Sequence, residues 1–236
     1  MRINRYIAST GLCSRRGADR LIEQGLVTIN GRIAVAGDRA EPGDEILVGG
    51  RSLPAPASKL ILAYNKPPGV VCSAVSQGRD EVNIIDAIGR PERLFTVGRL
   101  DKPSRGLILL TNDGDLADEI MRASSGHEKE YEVTLNREVT SDFVDAMSQG
   151  VKISFEDGSD YVTRPCRVWK ISGCTFGIVL TEGKNRQIRR MCSSLGYEVR
   201  DLVRVRIMDI KLGDLPRGEY REISPVSIRM AADQNE

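Results

Sequence analysis

Residues 96–117 read TVGRLDKPSRGLILLTNDGDLA, a stretch that combines a charged loop with an apolar run. The run LILLT at 107–111 has the composition of a buried strand. Asp101 precedes it in a loop punctuated by glycine and proline, between Arg99 and Lys102. These cationic neighbours favour the ionised carboxylate, as a carboxylate nucleophile requires. The competing interpretation is a turn aspartate that caps its own backbone, which an isolated R-x-D pattern favours.

Two further acids, Asp113 and Asp115, follow in the sequence TNDGD. Residues 112–114 have the composition of a turn, and they precede a helical pattern over 114–122. We therefore expect both aspartates to act as caps of that helix.

A second charged stretch, EGKNRQIRRMCSSLGYEVR at 182–200, predicts a helix over 185–195. Its apolar residues recur at i, i+3, i+4 and i+7, which defines a core-facing side. Arg186 and Arg190 lie one turn apart on another side, and Arg189 falls near the boundary. A boundary arginine can meet a buried carboxylate, although a solvated basic face is the simpler interpretation for at least one of the three. The core-facing residues are Ile188, Met191, Cys192 and Leu195.

The first fifty residues predict two short helices and a small sheet. Ile3 and Ile7 begin a short amphipathic helix that Gly11 ends, and Ser14 is a suitable N-cap for a second helix that ends at Gly25. The sheet follows, because Asn30-Gly31 between VTIN and RIAV is the strongest short hairpin signal, and EILV at 45–48 adds a strand.

Residues 49–58, GGRSLPAPAS, show no periodicity and predict a linker. The chain would then consist of a small domain (1–48), the linker (49–58) and a larger domain (59–236). In the larger domain strand-like runs outnumber helical patterns, which predicts an α+β fold with a large mixed, mainly antiparallel sheet. The strand-like runs lie at 60–64, 69–73, 107–111, 131–135, 176–180 and 197–207, and the helical candidates at 83–88, 114–122, 140–148 and 185–195.

The composition limits the chemistry that the chain can perform. It has 236 residues, 40% of them apolar, without an apolar run of membrane-spanning length or a secretory leader, so we expect a cytoplasmic protein. Five scattered cysteines indicate reduced thiols rather than disulfides, and His127 is the only histidine, which disfavours a zinc site. No glycine-rich nucleotide loop is present, so we expect neither a metal nor an organic cofactor.

The net charge of +1 conceals two basic segments. Residues 1–32 carry six arginines against two acids, and residues 182–206 carry seven basic residues against three acids. Arginine supplies 26 of the 34 basic residues, and its planar guanidinium suits phosphate contact and base stacking. This distribution indicates a nucleic-acid partner that the mean charge would not suggest.

Four motifs follow one another along the chain: YNKPPG at 64–69, GRLD at 98–101, KEYEV at 129–133 and GKNRQIRRM at 183–191. In this order they resemble the bacterial ribosomal-RNA pseudouridine synthases of the RsuA/RluB/RluE/RluF type, and HEKEYEV and NRQIRRMC are most similar to the RluF branch. The first fifty residues, with CSRRGADRLIEQGLVTING, resemble the S-four type RNA-binding domain.

The resemblance implies a catalytic role for three residues. Asp101 would attack the ribose, or assist glycal formation, while the bond from uracil to the anomeric carbon breaks. Arg189 would pair with Asp101, and Tyr131 would stack on the uracil and help in the late proton removal, although its alternation with Val133 and Leu135 also fits a core tyrosine. The reaction is an isomerisation that needs no cofactor, and the uridine must leave its helix because the reacting atoms are otherwise unreachable.

The resemblance also implies RNA contacts. Arg99 would hold the RNA open around the flipped nucleotide, and Ile188 and Lys66 would contribute to the substrate pocket. Arg186 and Arg190 would flank the cleft. Phosphates of a structured RNA would be held by Arg15, Arg16 and Arg20, with the protein acting as a monomer on ribosomal RNA that carries an unpaired or flippable uridine.

Three alternatives remain at this stage. The target could be small-subunit ribosomal RNA or tRNA rather than large-subunit RNA. The chain could be an RNA-binding or ribosome-assembly factor without activity, which the intact set of Asp101, Tyr131 and Arg189 disfavours. It could also be a glycoside hydrolase, which would need a second buried carboxylate across the cleft.

Overall fold

The computed structural model describes residues 1–73, 81–121 and 126–224, and the chain forms two compact units. The first contains Met1–Leu60 together with the short segments Pro91–Leu94 and Asn112–Gly114. The second contains the remaining described residues. In the described part of the chain, none of the helices is long and apolar enough to cross a membrane.

The first unit begins with the two predicted helices, α1 (Ile3–Ser9) and α2 (Arg15–Glu23). Ser14 is the N-cap of α2, because its hydroxyl accepts a hydrogen bond from the backbone N–H of Gly17 at 2.9 Å. This bond satisfies an amide that has no partner within the helix. Both helices pack against the sheet through a small apolar core. The buried members of this core are Ile3, Ile7, Ala18, Ile22, Val27, Ile29, Ala34, Ala40 and Ile46.

The sheet of the first unit has four strands in the order β2-β1-β3-β4. They are β1 (Val27–Ile29), β2 (Arg32–Ile33), β3 (Ile46–Val48) and β4 (Arg51–Ser52). The last strand lies within the stretch 49–58 that the sequence assigned to a linker. Gly49 and Gly50 adopt φ values of +57° and +75°, a conformation that glycine accepts without strain, and so they form the turn that returns β4 onto β3. The sheet therefore extends past residue 48.

The second unit contains the large sheet that the sequence predicts. Seven strands follow the order β11-β12-β8-β13-β7-β5-β15, with β14 paired to β13 and β6 to β7. All pairs are antiparallel except β13 with β7, so the sheet is mixed and mainly antiparallel. The strands are β5 (Ile61–Lys66), β6 (Phe95–Val97), β7 (Arg105–Thr111), β8 (Lys129–Leu135), β11 (Arg167–Ser172), β12 (Thr175–Leu180), β13 (Val199–Ile207), β14 (Ile210–Lys211) and β15 (Tyr220–Glu222).

Four helices and one hairpin accompany this sheet. The helices are α3 (Ile84–Ile88), α4 (Gly114–Met121), α5 (Ser141–Gln149) and α6 (Gln187–Ser194), and the hairpin consists of β9 (Lys152–Ser154) and β10 (Asp160–Val162). All four helices agree with the sequence prediction to within a few residues at each end. Asp115 lies in the first turn of α4, and Asp113 directly precedes this helix and forms an ion pair with Lys59 at 2.7 Å.

One predicted strand is wrong. The apolar run at 69–73 contributes only an isolated bridge between Val71 and Asn83. The strand that precedes this run, β5, pairs with β7 on one side and with β15 on the other, so the run does not form a hairpin with it. Six strands of the second unit were not predicted, because they are short or too polar to alternate clearly; they are β6, β9, β10, β11, β14 and β15.

The parallel contact of β7 with β13 requires a glycine. Gly106 is the Cα partner of Arg204 and has a φ of +102°. A Cβ on residue 106 would collide with the backbone oxygen and nitrogen of Arg204. The two strands can therefore lie side by side here only because residue 106 has no side chain.

We expect Gly106→Ala to destabilise the protein by about 2–3 kcal/mol, since the new methyl group meets backbone rather than a movable side chain, and since the positive φ adds strain. Urea unfolding followed by circular dichroism measures this change. Gly173→Ala is the matched control, because that glycine has open space around it and no positive φ. Equal midpoints for the two variants would contradict the proposed close contact.

The single histidine makes the stability of the fold depend on pH. Burial lowers the pKa of His127, and the neighbouring cation Lys129 lowers it further. His127 therefore takes up a proton more readily in the unfolded chain than in the folded protein. Its contribution to the free energy of unfolding is fully present above about pH 6.5 and is lost as the pH decreases below that value. Between pH 7.5 and pH 5.5 the loss is at most about 1.4 kcal/mol.

Urea midpoints at pH 7.5 and 5.5 measure this dependence, with His127→Gln as the comparison. We expect the variant to lose most of the difference between the two pH values. A pH dependence that persists unchanged in His127→Gln would show that other groups cause it.

Candidate active site

A cleft of about 780 Å³ opens in the second unit and carries an excess of positive charge. Seven cations and two acids line it, although the whole chain has a net charge of only +1. Such a local potential favours an anionic ligand. The seven cations are Arg99, Lys129, Arg164, Lys184, Arg186, Arg189 and Arg204, and the two acids are Asp101 and Glu182.

Asp101 lies in the loop between β6 and β7, and backbone hydrogen bonds hold this loop in place. The N–H of Ser104 donates to the backbone oxygen of Asp101 at 3.0 Å, and the N–H of Gly69 donates to that of Lys102 at 2.8 Å. The N–H of Leu100 donates to the sulfur of Cys72 at 3.4 Å. The Asp101 carboxylate is half-buried in the cleft wall, and no described side chain forms a hydrogen bond or ion pair with it.

Lys66 does not contact the cleft, which corrects its assignment to substrate binding. Its side chain is 0% exposed, and its Nζ donates to the backbone oxygens of Pro67 at 2.9 Å and Lys102 at 3.4 Å. Burial lowers the pKa of Lys66, while nearby Cys72 and Asp101 raise it. Lys66 lies on β5 and binds the backbone of the Asp101 loop. The lysine therefore stabilises that loop and does not contact the substrate.

Arg189 lies in the cleft near Asp101, but the two side chains do not form the expected direct ion pair. The guanidinium donates to Val199 O at 3.2 Å and to the Ser104 hydroxyl at 3.3 Å. Burial lowers the pKa of Arg189 and Arg186 lowers it further, whereas Asp101 and Asp201 raise it. Arg189 therefore reaches the Asp101 loop through Ser104 and acts on the Asp101 carboxylate through space.

Four other predicted site residues line the cleft. Tyr131 on β8 is 9% exposed, and Ile188 on α6 is buried. Arg99 and Arg186 are exposed at its edge. Arg186 is also the residue that precedes α6, with a left-handed φ of 51°. The cleft thus combines the Asp101 carboxylate, an aromatic ring, an apolar side chain and exposed cations.

Arg190 is not part of the cleft. Its guanidinium donates to Ser154 O at 2.9 Å and to Asn185 O at 3.1 Å, and it lies over the ring of Phe155 at 5.2 Å. The residue thus fixes α6 to the β9–β10 hairpin. Sequence spacing placed Arg190 one turn from Arg186, but the hairpin that captures it was not predicted.

The other predicted arginines lie in the first unit. Arg15, Arg16 and Arg20 are all on α2, and each of the three is exposed. Their exposure follows from the amphipathic pattern of α2, which turns Ala18 and Ile22 into the core of this unit.

The second acid of the cleft, Glu182, holds the loop before α6. Its carboxylate accepts hydrogen bonds from the Tyr161 hydroxyl at 2.7 Å, from Gln187 Nε2 at 2.7 Å and from the backbone N–H of Arg164 at 3.1 Å. Burial raises the pKa of Glu182, but these three bonds outweigh it, so the net shift is downward. A glycosidase acid needs a raised pKa, and Glu182 therefore does not supply the second carboxylate of that alternative.

Sequence reasoning missed two further cleft residues, Lys129 and Arg204. Lys129 stands in the KEYEV motif, and Arg204 in the run LVRVR of β13. The Cα partner of Arg204 on β8 is Tyr131, which places both side chains on one face of the sheet. The sequence carries little signal for Arg204, because in LVRVRI it alternates with Val203 and Val205 and falls in the same period-2 set as Arg206, as a solvent-facing arginine would.

Comparison with known proteins agrees with this geometry. Residues 60–194 match the family model described as RNA pseudouridylate synthase, and residues 1–46 match the S4 domain. A solved structure described as a crystal structure of pseudouridylate synthase aligns with a TM-score of 0.70 at 30% identity, over 98% of this chain and 99% of that chain.

Two named relatives extend the comparison. Dual-specificity RNA pseudouridine synthase RluF of Escherichia coli (strain K12) is 47% identical over 95% of this chain and 76% of its own length. Ribosomal large subunit pseudouridine synthase B of Salmonella typhi is 36% identical over 94% of this chain and 79% of its own length. The expected family and fold class are confirmed, and the chain belongs to the RNA pseudouridylate synthase family.

Proposed function

We propose that this protein converts specific uridines of large-subunit ribosomal RNA to pseudouridine. The main support is the Asp101 carboxylate, which lies in a strongly cationic cleft that Tyr131 and Ile188 also line. Among the described residues, no side chain forms a hydrogen bond or ion pair with this carboxylate. The relative from Salmonella typhi is named as a large-subunit enzyme, which supports the choice of RNA. The relative from Escherichia coli is named as having dual specificity, which makes a second RNA target the nearest alternative.

The proposed mechanism begins with a flipped uridine. The cleft volume of about 780 Å³ is enough for one nucleotide, and the nucleotide must leave its helix for C1′ to become reachable. Asp101 attacks C1′, or takes the C2′ proton on the glycal route, while the electron pair of the C1′–N1 bond passes to the uracil. The uracil then rotates, and C5 bonds to C1′ while the Asp101–C1′ bond breaks or, on the glycal route, while C2′ takes its proton back from Asp101. The C5 proton then leaves and N1 gains a proton. All atoms come from one nucleotide, so we propose that the reaction proceeds without metal or organic cofactor.

The neighbouring residues have separate tasks in this proposal. Tyr131 stacks on the uracil and helps in the late proton removal, and Ile188 closes the apolar side of the pocket. Arg189 offsets the charge of Asp101 through space and through Ser104. Arg99 and Arg186, which are exposed, contact the phosphates on either side of the flipped nucleotide.

The first unit is proposed as the domain that positions the RNA. Residues 1–48 would bind RNA and residues 59–236 would carry the reaction, with the short stretch between them as the connection. The match of residues 1–46 to the S4 domain and the three exposed arginines of α2 support this division. We further propose that the protein works as a monomer in the cytoplasm, where ribosomal RNA is made.

A non-catalytic RNA-binding factor is the second candidate. It would need the same cationic cleft, but it would have no use for a carboxylate placed among cations, which weakens RNA affinity. The Asp101 substitution separates the two candidates, because an enzyme loses its product whereas a binding factor gains or keeps its affinity.

The testing experiment maps pseudouridine across all ribosomal and transfer RNA of a strain that lacks this gene and of its parent. We expect at least one large-subunit position to lose the modification, and the wild-type gene to restore it. Asp101→Asn should not restore it, although the variant folds and binds RNA with unchanged or higher affinity, because the amide cannot act as the nucleophile or base.

Two results would contradict the proposal. Restoration of the modification by Asp101→Asn would exclude Asp101 as the reacting group. Loss of modification only in small-subunit RNA or tRNA would exclude large-subunit RNA as the target.

A second prediction concerns the first unit. We expect Arg16→Ala to weaken RNA binding about 3–10-fold and to reduce the slope of log K against log salt by about 1, since one phosphate contact is lost. The single-turnover rate on saturating RNA should stay near that of the wild type. Fluorescence anisotropy over a salt series measures the slope.

Glu23→Gln is the matched control, because it removes a charge of the opposite sign from the same helix. It should leave the affinity unchanged or raise it. Normal affinity together with lost turnover in Arg16→Ala would refute the assignment of this helix to RNA binding.

A further inference from the structure

Several buried polar atoms of the cleft have no partner. Among the described residues, five buried side-chain nitrogen or oxygen atoms lack a hydrogen bond, and three of them belong to residues that line the cleft. These three are His127 Nδ1, Arg189 Nε and Arg204 Nη2. Buried polar atoms nearly always form hydrogen bonds. Three buried atoms without a partner in one cleft therefore indicate that a bound ligand supplies the missing hydrogen bonds.

Arg204 is the most deeply buried cation of the cleft, at 3% exposure. Its Nε donates to the backbone oxygen of Leu107 at 2.7 Å, which fixes the plane of the guanidinium. The Nη2 atom of the same group is left without a partner. Since Arg204 is the Cα partner of Tyr131, the fixed guanidinium lies beside the tyrosine on the same face of the sheet.

Lys129 adds a second charge to this place. It lies two residues before Tyr131 on β8 and therefore on the same face. Arg204 lies opposite Tyr131, so Lys129 and Arg204 are diagonal neighbours that line the same cleft. Burial lowers the pKa of Lys129, and the charge of Arg204 lowers it further. Among the described residues no acid forms an ion pair with either cation. Arg204 is buried and Lys129 is half-buried, and two neighbouring like charges without a counterion are costly, so an anionic ligand reduces the cost.

The depth of these cations decides which part of an RNA can reach them. Arg99, Arg164, Lys184 and Arg186 are exposed and meet the phosphate backbone first. Arg204 is buried like Tyr131, its Cα partner, and a planar base stacked on the Tyr131 ring brings its carbonyl oxygens into this buried part of the cleft. The geometry therefore favours a uracil oxygen over a phosphate oxygen.

We propose that Arg204 and Lys129 form a subsite for a carbonyl oxygen of the flipped uracil and stabilise the negative charge that the base acquires when it leaves C1′. This inference rests on the proposed function. Heterolysis of the C1′–N1 bond leaves both electrons on the uracil, where resonance spreads the charge onto its carbonyl oxygens. Arg204 donates a hydrogen bond to such an oxygen and transfers no proton, and Lys129 contributes its charge. The pair acts like the fixed donors of an oxyanion hole.

The experiment uses the full-length protein and an RNA spanning the mapped position, with either uridine or 5-fluorouridine at that position. Fluorine makes the uracil ring more acidic, so the departing base needs less help. The measured quantity is the single-turnover rate at which the starting nucleoside disappears. For Arg204→Met we expect this rate on uridine RNA to be about 100–1,000-fold lower than for the wild type. The RNA affinity should stay within about 3-fold of the wild type. On 5-fluorouridine RNA the deficit should shrink at least tenfold.

Lys129→Met should show the same pattern with a smaller deficit, and it keeps the inference testable if Arg204→Met does not fold. Its Nζ makes one hydrogen bond, to the backbone oxygen of His127 at 3.2 Å, so the fold depends little on it. Arg206→Met is the matched control, since Arg206 lies on the same strand but binds Glu128 and Glu130 outside the cleft. Its rates should stay close to wild type on both RNAs.

Equal deficits on the two RNAs would overturn the inference, because a merely structural role does not depend on the acidity of the base. A deficit confined to RNA affinity would also overturn it and assign Arg204 to a phosphate. Wild-type protein that makes no pseudouridine in the uridine RNA would refute the proposed function itself, whereas normal wild-type product with equal deficits refutes the subsite alone.

Discussion

The parallel contact between β7 and β13 is the constraint on which the cleft depends. Gly106 and Arg204 lie so close there that residue 106 cannot carry a side chain. The loop that ends at the start of β7 carries Asp101, and the other neighbour of β13 is β8, which carries Tyr131. One register between two strands thus sets the carboxylate, the aromatic ring and the buried arginine in the same cleft.

Charge is distributed within the cleft so that a positive potential remains for the ligand. The acid Glu182 accepts hydrogen bonds from Tyr161, Gln187 and the backbone of Arg164, and it holds the loop before α6. Its one ion pair among the described residues is the long contact with the Arg164 side chain at 3.9 Å, so the other cleft arginines are not neutralised by it. Lys66 is satisfied by backbone oxygens beneath the Asp101 loop. The desolvation cost of the remaining cations is offset when a polyanion such as RNA binds.

Local patterns predicted a large part of the architecture. Ser14 as N-cap, Asn30-Gly31 as hairpin turn and the 3.6-residue period of α6 each depend on interactions a few residues apart, and all three are found. The strand predicted at 69–73 is absent because pairing depends on which strands the whole fold brings together, which a local pattern does not contain. Lys66 and Arg190 were assigned to the ligand through the resemblance, whereas the structure shows backbone oxygens around Lys66 and a hairpin from elsewhere in the chain around Arg190.

The sequence by itself determined the identity of the fold class, the family and the residues Asp101, Tyr131, Ile188 and Arg186 of the cleft, because these follow from motifs that are contiguous in the chain. Only the tertiary structure decided that Ser104 mediates between Arg189 and Asp101, that Lys66 supports a loop and that Arg204 lies beside Tyr131. These relations join residues that are 36 to 85 positions apart or lie on different strands. Strand register and burial create them, and neither quantity can be read from neighbouring residues alone.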